Sequence, residues 1–204
     1  MRPNLLEVLR CPQTGQRLVL DKPEYREGRV HSGWLVAEHG EYRYAVRNFI
    51  PRFGIQWNKF RRTQLDSVSG VSISHDRFYQ VTDWTPQALQ GRWVLDAGCG
   101  AGRFTEVALD AGAHVVAVDY SSACEACLEN HAQNPRLTVL QANIYHLPLA
   151  RESMDFIFCL GVLQHTPDVK RAFFALLNFL TGGGRIAVDL YPRLWQNYLW
   201  PKYW

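Results

Sequence analysis

The sequence predicts an α/β fold, a doubly wound and mostly parallel sheet preceded by a small β-rich module. Three observations predict it. Residues 94–104 read Val-Leu-Asp-Ala-Gly-Cys-Gly-Ala-Gly-Arg-Phe, an apolar strand end that passes through Gly98, Gly100 and Gly102 straight into helix-forming sequence. A second apolar run ends in an acid, Asp119, about 20 residues past the glycine turn. Apolar strands then keep alternating with helical segments, the pattern of a parallel sheet covered on both faces.

The elements follow in order. Residues 1–55 form the β-rich module: Leu5-Leu-Glu-Val-Leu-Arg-Cys-Pro12 opens it, and strand-like stretches lie at 17–20, 34–37 and 43–46. Residues 56–90 read as a linker carrying a helix. Gln56, Trp57 and Phe60 either close that helix over a ligand or, with Trp57 and Phe60 spaced i, i+3, pack it onto the core. The nearby Arg52, Lys59, Arg61 and Arg62 read as a solvated basic face. Residues 91–204 form the sheet domain. Its first strand ends at 94–95, with a helix over 103–111. The next strand is 114–118, closed by Asp119, and a helix starts near Ser121. Further strands are expected at 137–141, at 154–160 and at 185–190, the last after a turn made by Thr181, Gly182, Gly183 and Gly184.

A glycine turn between strand and helix lets a ligand approach the backbone and meet the helix N-terminus. It does so at the carboxyl ends of the strands, where open α/β sheets bind small molecules. The spacing argues against a dinucleotide. That fingerprint wants Gly-x-Gly-x-x-Gly/Ala, whereas here the third glycine comes one residue early and Arg103 stands at the last small position. Asp96, two residues before Gly98, would repel a pyrophosphate and suits a cationic ligand. The stretch closely resembles the first motif of class I S-adenosylmethionine (SAM)-dependent methyltransferases. SAM carries an ammonium and a sulfonium and no phosphate. The resemblance implies a Rossmann-like methyltransferase fold, SAM as the cofactor, and Asp96, Gly98, Cys99, Gly100 and Gly102 around it.

The rest of the site follows at matching distances. A carboxylate at the end of the second strand can accept both ribose hydroxyls; Asp119 can equally cap the helix that follows. Tyr120 can lie against the adenine. Ala142-Asn143-Ile144 is similar to the segment that contacts the adenine in this family, with Asn143 where Asp is usual, so that one hydrogen bond remains available. Leu160 ends the fourth strand, and Gly161-Val-Leu-Gln-His-Thr-Pro167 resembles the "Gly-Val-Leu-His-His-Thr-Pro" stretch of small-molecule methyltransferases, with Gln164 in place of the first His. The resemblance also makes Gln56 and Trp57 part of the cofactor lid. The implied reaction is in-line methyl transfer to a small-molecule acceptor. His165 is the candidate base for an oxygen or nitrogen nucleophile, since His titrates near neutral pH; its other reading is that it orders the loop before Pro167. Two further classes stay open, a tRNA or protein methyltransferase and a non-catalytic SAM-binding scaffold.

Residues 1–55 are similar to the small zinc-ribbon-like modules that accompany or activate methyltransferases, and the same fused arrangement is seen in a group of bacterial enzymes. Zinc-binding members pair the Cys of Cys-Pro with another Cys; here Cys11 is followed by Gln13, Thr14 and Gly15, so no metal is expected, and His31 and His39 are read as exposed loop residues. Cys124 and Cys127 fall in a helix without a second pair.

Composition fits a cytoplasmic enzyme. A net charge of +3 is too small to imply nucleic acid, and no apolar run approaches the roughly 18 residues a membrane helix needs. Five cysteines with no evident pairing suit a reducing compartment. Tyr191, Leu194, Trp195, Tyr198 and Leu199 share one helical face, with Trp200 and Trp204 adding aromatic surface. Methyltransferases of this class continue past the fifth strand with a helix and an antiparallel strand pair. The chain is therefore expected to be a truncated form whose fifth strand is an open edge prone to self-association.

Overall fold

The structure, a computed structural model, describes residues 1–40, 42–51 and 72–190. Gln56, Trp57, the basic cluster and the aromatic tail lie outside the described residues.

The head begins with a 3-10 turn, Pro3–Glu7, and then forms an antiparallel sheet in the order β1 (Leu18–Arg26), β2 (Arg29–Ala37), β3 (Arg43–Arg47), β4 (Ile50–Pro51). The first two strands run well beyond their expected bounds. Glu27 and Gly28 both have positive φ, 50° and 69°, the backbone twist that closes a two-residue hairpin. Pro23 does not end β1, because this is an edge strand and the register shift between Asp21 and Glu24 absorbs it. Gly33 faces the shift at φ 136°; a Cβ there would sit 2.9 Å from the Lys22 carbonyl. His31 is not on a loop as expected but in β2, its ring edge-on to Phe49 at 4.8 Å.

The second half runs α1 (Ile73–Thr82), α2 (Pro86–Leu89), β5 (Trp93–Ala97), α3 (Arg103–Asp110), β6 (His114–Asp119), α4 (Ala123–Asn130), β7 (Leu137–Gln141), β8 (Met154–Cys159), α5 (Val169–Leu177) and β9 (Leu180–Val188). Its five strands are parallel, in the order β7-β6-β5-β8-β9. The chain winds outward from β5 in one direction and from β8 in the other, so the topological switch point lies between them, just beyond the glycine loop. Thr181 to Gly184 were expected as a turn but are part of β9. Gly184 lies so close to the Asp155 carbonyl that a Cβ would come within 2.8 Å, and the β8–β9 register shifts there, a bulge that glycine makes possible.

Successive side chains of the strands bury into opposite layers, which is why the strands read as unbroken apolar runs. Val94, Val115, Ala117, Phe156 and Phe158 pack toward α1, α3 and α4, with Phe78 of α1 fully buried among them. Leu95, Val116, Val118, Leu140 and Ile157 face the other way, toward Ala172 and Leu176 of α5. That second layer also contains Met1, Leu5, Leu9, Leu35 and Val46 of the head. The crossover from β7 to β8 holds only a short 3-10 turn, Ile144–His146, in place of a full covering helix. The head closes the face that this crossover leaves bare.

Candidate functional site

The carboxyl ends of β5, β6 and β7 open into a cleft of about 340 Å³ whose walls include Gly98, Asp119, Tyr120, Asn143, Ile144 and His165. The volume is in the range of small-ligand sites. Each wall has a local cause.

The glycine loop follows β5. Gly98, Gly100 and Gly102 have φ of 99°, 51° and 91°, a left-handed backbone that side chains rarely adopt. The three differ in what surrounds them. A Cβ on Gly98 would meet Val162 at 2.4 Å, and one on Gly102 would meet His131 at 2.7 Å, whereas one on Gly100 would meet nothing within 4 Å among the described residues. The loop is held from outside: Asn130 Nδ2 donates to the Ala101 carbonyl at 2.9 Å, and His131 Nε2 lies 3.1 Å from the Gly102 carbonyl. Neither residue was visible as a site feature in the sequence. They lie at the carboxyl end of α4, and nothing in local pattern ties them to a loop nearly thirty residues earlier.

Asp119 joins β6 to this loop. Its Oδ2 accepts the Gly100 amide at 2.9 Å, and its Oδ1 accepts the Ser121 amide at 2.8 Å and the Ser121 hydroxyl at 2.7 Å. Tyr120 follows in the cleft wall, 48% exposed. Asn143 Oδ1 accepts the Tyr145 amide at 3.0 Å and so shapes the Ile144–His146 turn. Tyr145 is pinned in turn, its hydroxyl donating to the Asp168 carbonyl at 3.0 Å.

Asp96 is not at the cleft wall. It is 3% exposed beneath the glycine loop, and its Oδ2 accepts the Thr105 hydroxyl at 2.5 Å. Burial pushes its carboxyl up to about 7 against the pull of the Thr105 hydroxyl, and the Asp119 charge adds to the rise. Cys99 is buried under the same loop beside Cys127, and that contact together with burial raises its thiol above the ordinary value. Leu160 is 7% exposed at the end of β8. His165 is exposed at the cleft rim beside Thr166 and Pro167, while both amide atoms of Gln164 are buried without a hydrogen-bond partner.

Two further residues emerge at the open end of the sheet. Asp189, just past β9, accepts the Gly161 amide and pairs with Arg77 of α1 at 2.6 Å. Arg103 Nε donates to Ser74 Oγ at 2.7 Å. Together these bonds lock α1 over the start of α3. Cys11 of the head is buried, its sulfur 3.1 Å from the Tyr44 hydroxyl. None of the five cysteines is disulfide-bonded. Among the described residues no helix is long and apolar enough to cross a membrane.

Sheet order, glycine loop and strand-end carboxylate define a class I methyltransferase fold. The fit of the loop to SAM rests on Gly100, where no described residue lies within 4 Å of the Cβ position, and on the Asp119 carboxylate beside it, while the cation next to the loop, Arg103, is turned to Ser74. Residues 95–188 match a family model described as a methyltransferase domain. A ubiquinone biosynthesis O-methyltransferase of Coxiella burnetii is 31% identical over 114 residues, which is 55% of this chain and 49% of that protein. An uncharacterised methyltransferase of Mycobacteroides abscessus is 34% identical over 120 residues, 55% of this chain and 46% of that protein. The chain thus spans about half the length of these curated relatives. Phosphoethanolamine N-methyltransferase 1 of Haemonchus contortus, solved with phosphoethanolamine and S-adenosylhomocysteine, has the same fold. It superposes with a TM-score of 0.52 at 22% identity, over 61% of this chain and 26% of that one. Residues 95–188 thus match a methyltransferase domain in sequence and have the fold of SAM-dependent methyltransferases.

Proposed function

We propose that the protein transfers a methyl group from SAM to an oxygen or nitrogen of a small-molecule acceptor. The observation that carries this reading is the 340 Å³ cleft, which brings the glycine loop, Asp119 and the His165 rim around one space of small-ligand size. Bound SAM supplies a methyl group already activated on a sulfonium. Gly98, Gly100 and Gly102 present backbone to the cofactor beside Cys99, with Asp96 supporting the loop from below. Asp119 accepts the ribose hydroxyls, giving up part of its contact with Ser121. Tyr120, Asn143, Ile144 and Leu160 border the adenine side. The walls hold the reacting groups in line, an alignment worth up to ~7–11 kcal/mol in model systems. An imidazole nitrogen of His165 takes the proton that the nucleophile releases.

The domain division that supports this reading is a head of residues 1–55, a connecting segment of 56–90 and a methyltransferase domain of 91–204. The head is related to zinc-ribbon-like methyltransferase modules and works without zinc. Reduced, buried cysteines suit the cytoplasm. The β9 edge, paired with β8 alone among the described residues, is a route to self-association.

The test uses SAM tritiated on the methyl group, offered with a deproteinised small-molecule extract, with tRNA or with cell protein. Label entering the extract, and lost when His165→Ala is used, supports the reading. Label entering tRNA or protein alone overturns the acceptor class. SAM binding with no transfer to any of the three makes the domain a scaffold.

A further inference from the structure

The head grips a segment that lines the cofactor cleft and the loop behind the glycine turn. On one side, the Arg10 amide donates to the Pro148 carbonyl at 2.9 Å and the Ala150 amide donates to the Val8 carbonyl at 2.8 Å. Leu9 and Leu149, both buried, form an antiparallel bridge between these bonds. The segment so held begins at Asn143, and its Leu147 lies in the cleft wall. On the other side, Arg29 Nη1 donates to the Ala132 carbonyl at 3.2 Å, and Arg2 Nη2 reaches the Asn134 carbonyl at 3.5 Å. Those carbonyls follow directly on Asn130 and His131, the two side chains that hold the glycine loop. Two backbone bonds make the first connection and two arginine side chains the second, so a shift of the head is passed to the 143–150 segment and to the residues that hold the glycine loop.

We infer that the head is a positioning element of the cofactor site, fixing the spacing between the glycine loop and the 143–150 segment, with Arg29 as its positioning residue on the glycine-loop side. The β7–β8 crossover has no helix of its own: Tyr145 ties its 3-10 turn to Asp168 at the start of α5, and the head holds the stretch that follows, at Pro148 and Ala150. The inference rests on SAM as cofactor and not on the nature of the acceptor.

The first readout is binding of S-adenosylhomocysteine to the full-length chain by titration calorimetry. Removing one hydrogen bond to a carbonyl, Arg29→Met should raise the Kd about 5- to 10-fold. Arg29→Lys, which can still donate to the Ala132 carbonyl, should recover most of the affinity. Arg43→Met serves as control: Arg43 is also in the head, but it pairs with Asp21 at 2.5 Å and lies over the Trp34 ring, with no contact to the cleft loops. It should leave the Kd unchanged. Equal Kd values for Arg29→Met and wild type, or equal losses for Arg29→Met and Arg43→Met, overturn the inference. The second readout needs no variant. On adding S-adenosylhomocysteine, hydrogen exchange at the Arg10 and Ala150 amides should slow more than exchange at the β1–β2 hairpin tip. Uniform slowing across the head reports only global stabilisation and overturns the inference as well.

Discussion

Asp119 Oδ2 accepts the amide of Gly100 at 2.9 Å, so the end of the second parallel strand is bonded to the glycine loop of the first. The same carboxylate also accepts the Ser121 amide and hydroxyl. A residue proposed to hold the ribose therefore already organises the surface on which the ribose would lie, and its ribose-binding and helix-start roles occupy one group.

Asp119→Ala should weaken SAM binding by ~1.5–3 kcal/mol, the scale of hydrogen bonds to a charged group. Asp119→Asn keeps one carbonyl oxygen to accept the Gly100 or Ser121 amide and should fall between the two. Calorimetric titration with SAM decides; an unchanged affinity in the alanine variant would take Asp119 out of the site.

The glycine loop allows fold and binding to be separated. Gly98→Ala places a methyl 2.4 Å from Val162 at φ 99° and should destabilise the chain by ~2–4 kcal/mol, read as a fall in Tm. Gly100→Ala meets nothing within 4 Å, so its cost is limited to ~1–2 kcal/mol of left-handed backbone strain. With the cofactor against the loop as proposed, the alanine methyl stands in the ligand's way, and SAM affinity should drop at least tenfold while Tm falls by only a few degrees. A Gly100→Ala protein that binds SAM normally would show that the ligand does not approach the loop there.

The two halves of the chain differ in how much the sequence reveals. The 137–141 strand and the helix after Gly102 were legible because a parallel strand buried on both faces is a short apolar run with polar ends, and because three glycines so close together force a turn. The β1 and β2 lengths were not, since Pro23 and Gly33 look like breaks until the bulge that joins them is seen. The Thr181–Gly184 misreading has the same origin, as glycine at a bulge and glycine at a turn look alike in a sequence. In the site, Asp119 and the loop glycines were legible from spacing. Thr105 under Asp96, His131 and Asn130 behind the loop, and Asp189 at the Gly161 amide were not, because each is a contact across the fold that leaves no local pattern. The docking of the head is the largest such omission: Leu5 and Leu9 read as apolar residues of a small module, and only the bare face of the β7–β8 crossover shows what they cover.

Asp96 makes the stability of the fold depend on pH. Its carboxyl sits up to about 7 in the folded chain because burial disfavours the anion more than the Thr105 hydroxyl favours it, with the Asp119 charge adding to the rise. An unfolded chain would ionise the same group near ~3.9. Between these two values the folded state holds its proton while the unfolded state has lost it, so the stability gradient with pH is negative in this window. The contribution is therefore complete below about pH 4 and is lost as pH rises through about 7. Three units correspond to ~4 kcal/mol at most, and water reaching the group on the ionised side would reduce it. Asp96→Asn removes the titration and still offers a carbonyl oxygen to Thr105. The difference in unfolding free energy between variant and wild type should then move in the variant's favour by up to ~2.6 kcal/mol from pH 5 to pH 8, measured by urea denaturation. The ion pairs Asp21–Arg43 and Asp189–Arg77 are present in both proteins and cancel from the difference. A constant offset across that range would mean that Asp96 is ionised throughout, with a cationic or hydrogen-bonding partner that burial and Thr105 alone do not provide.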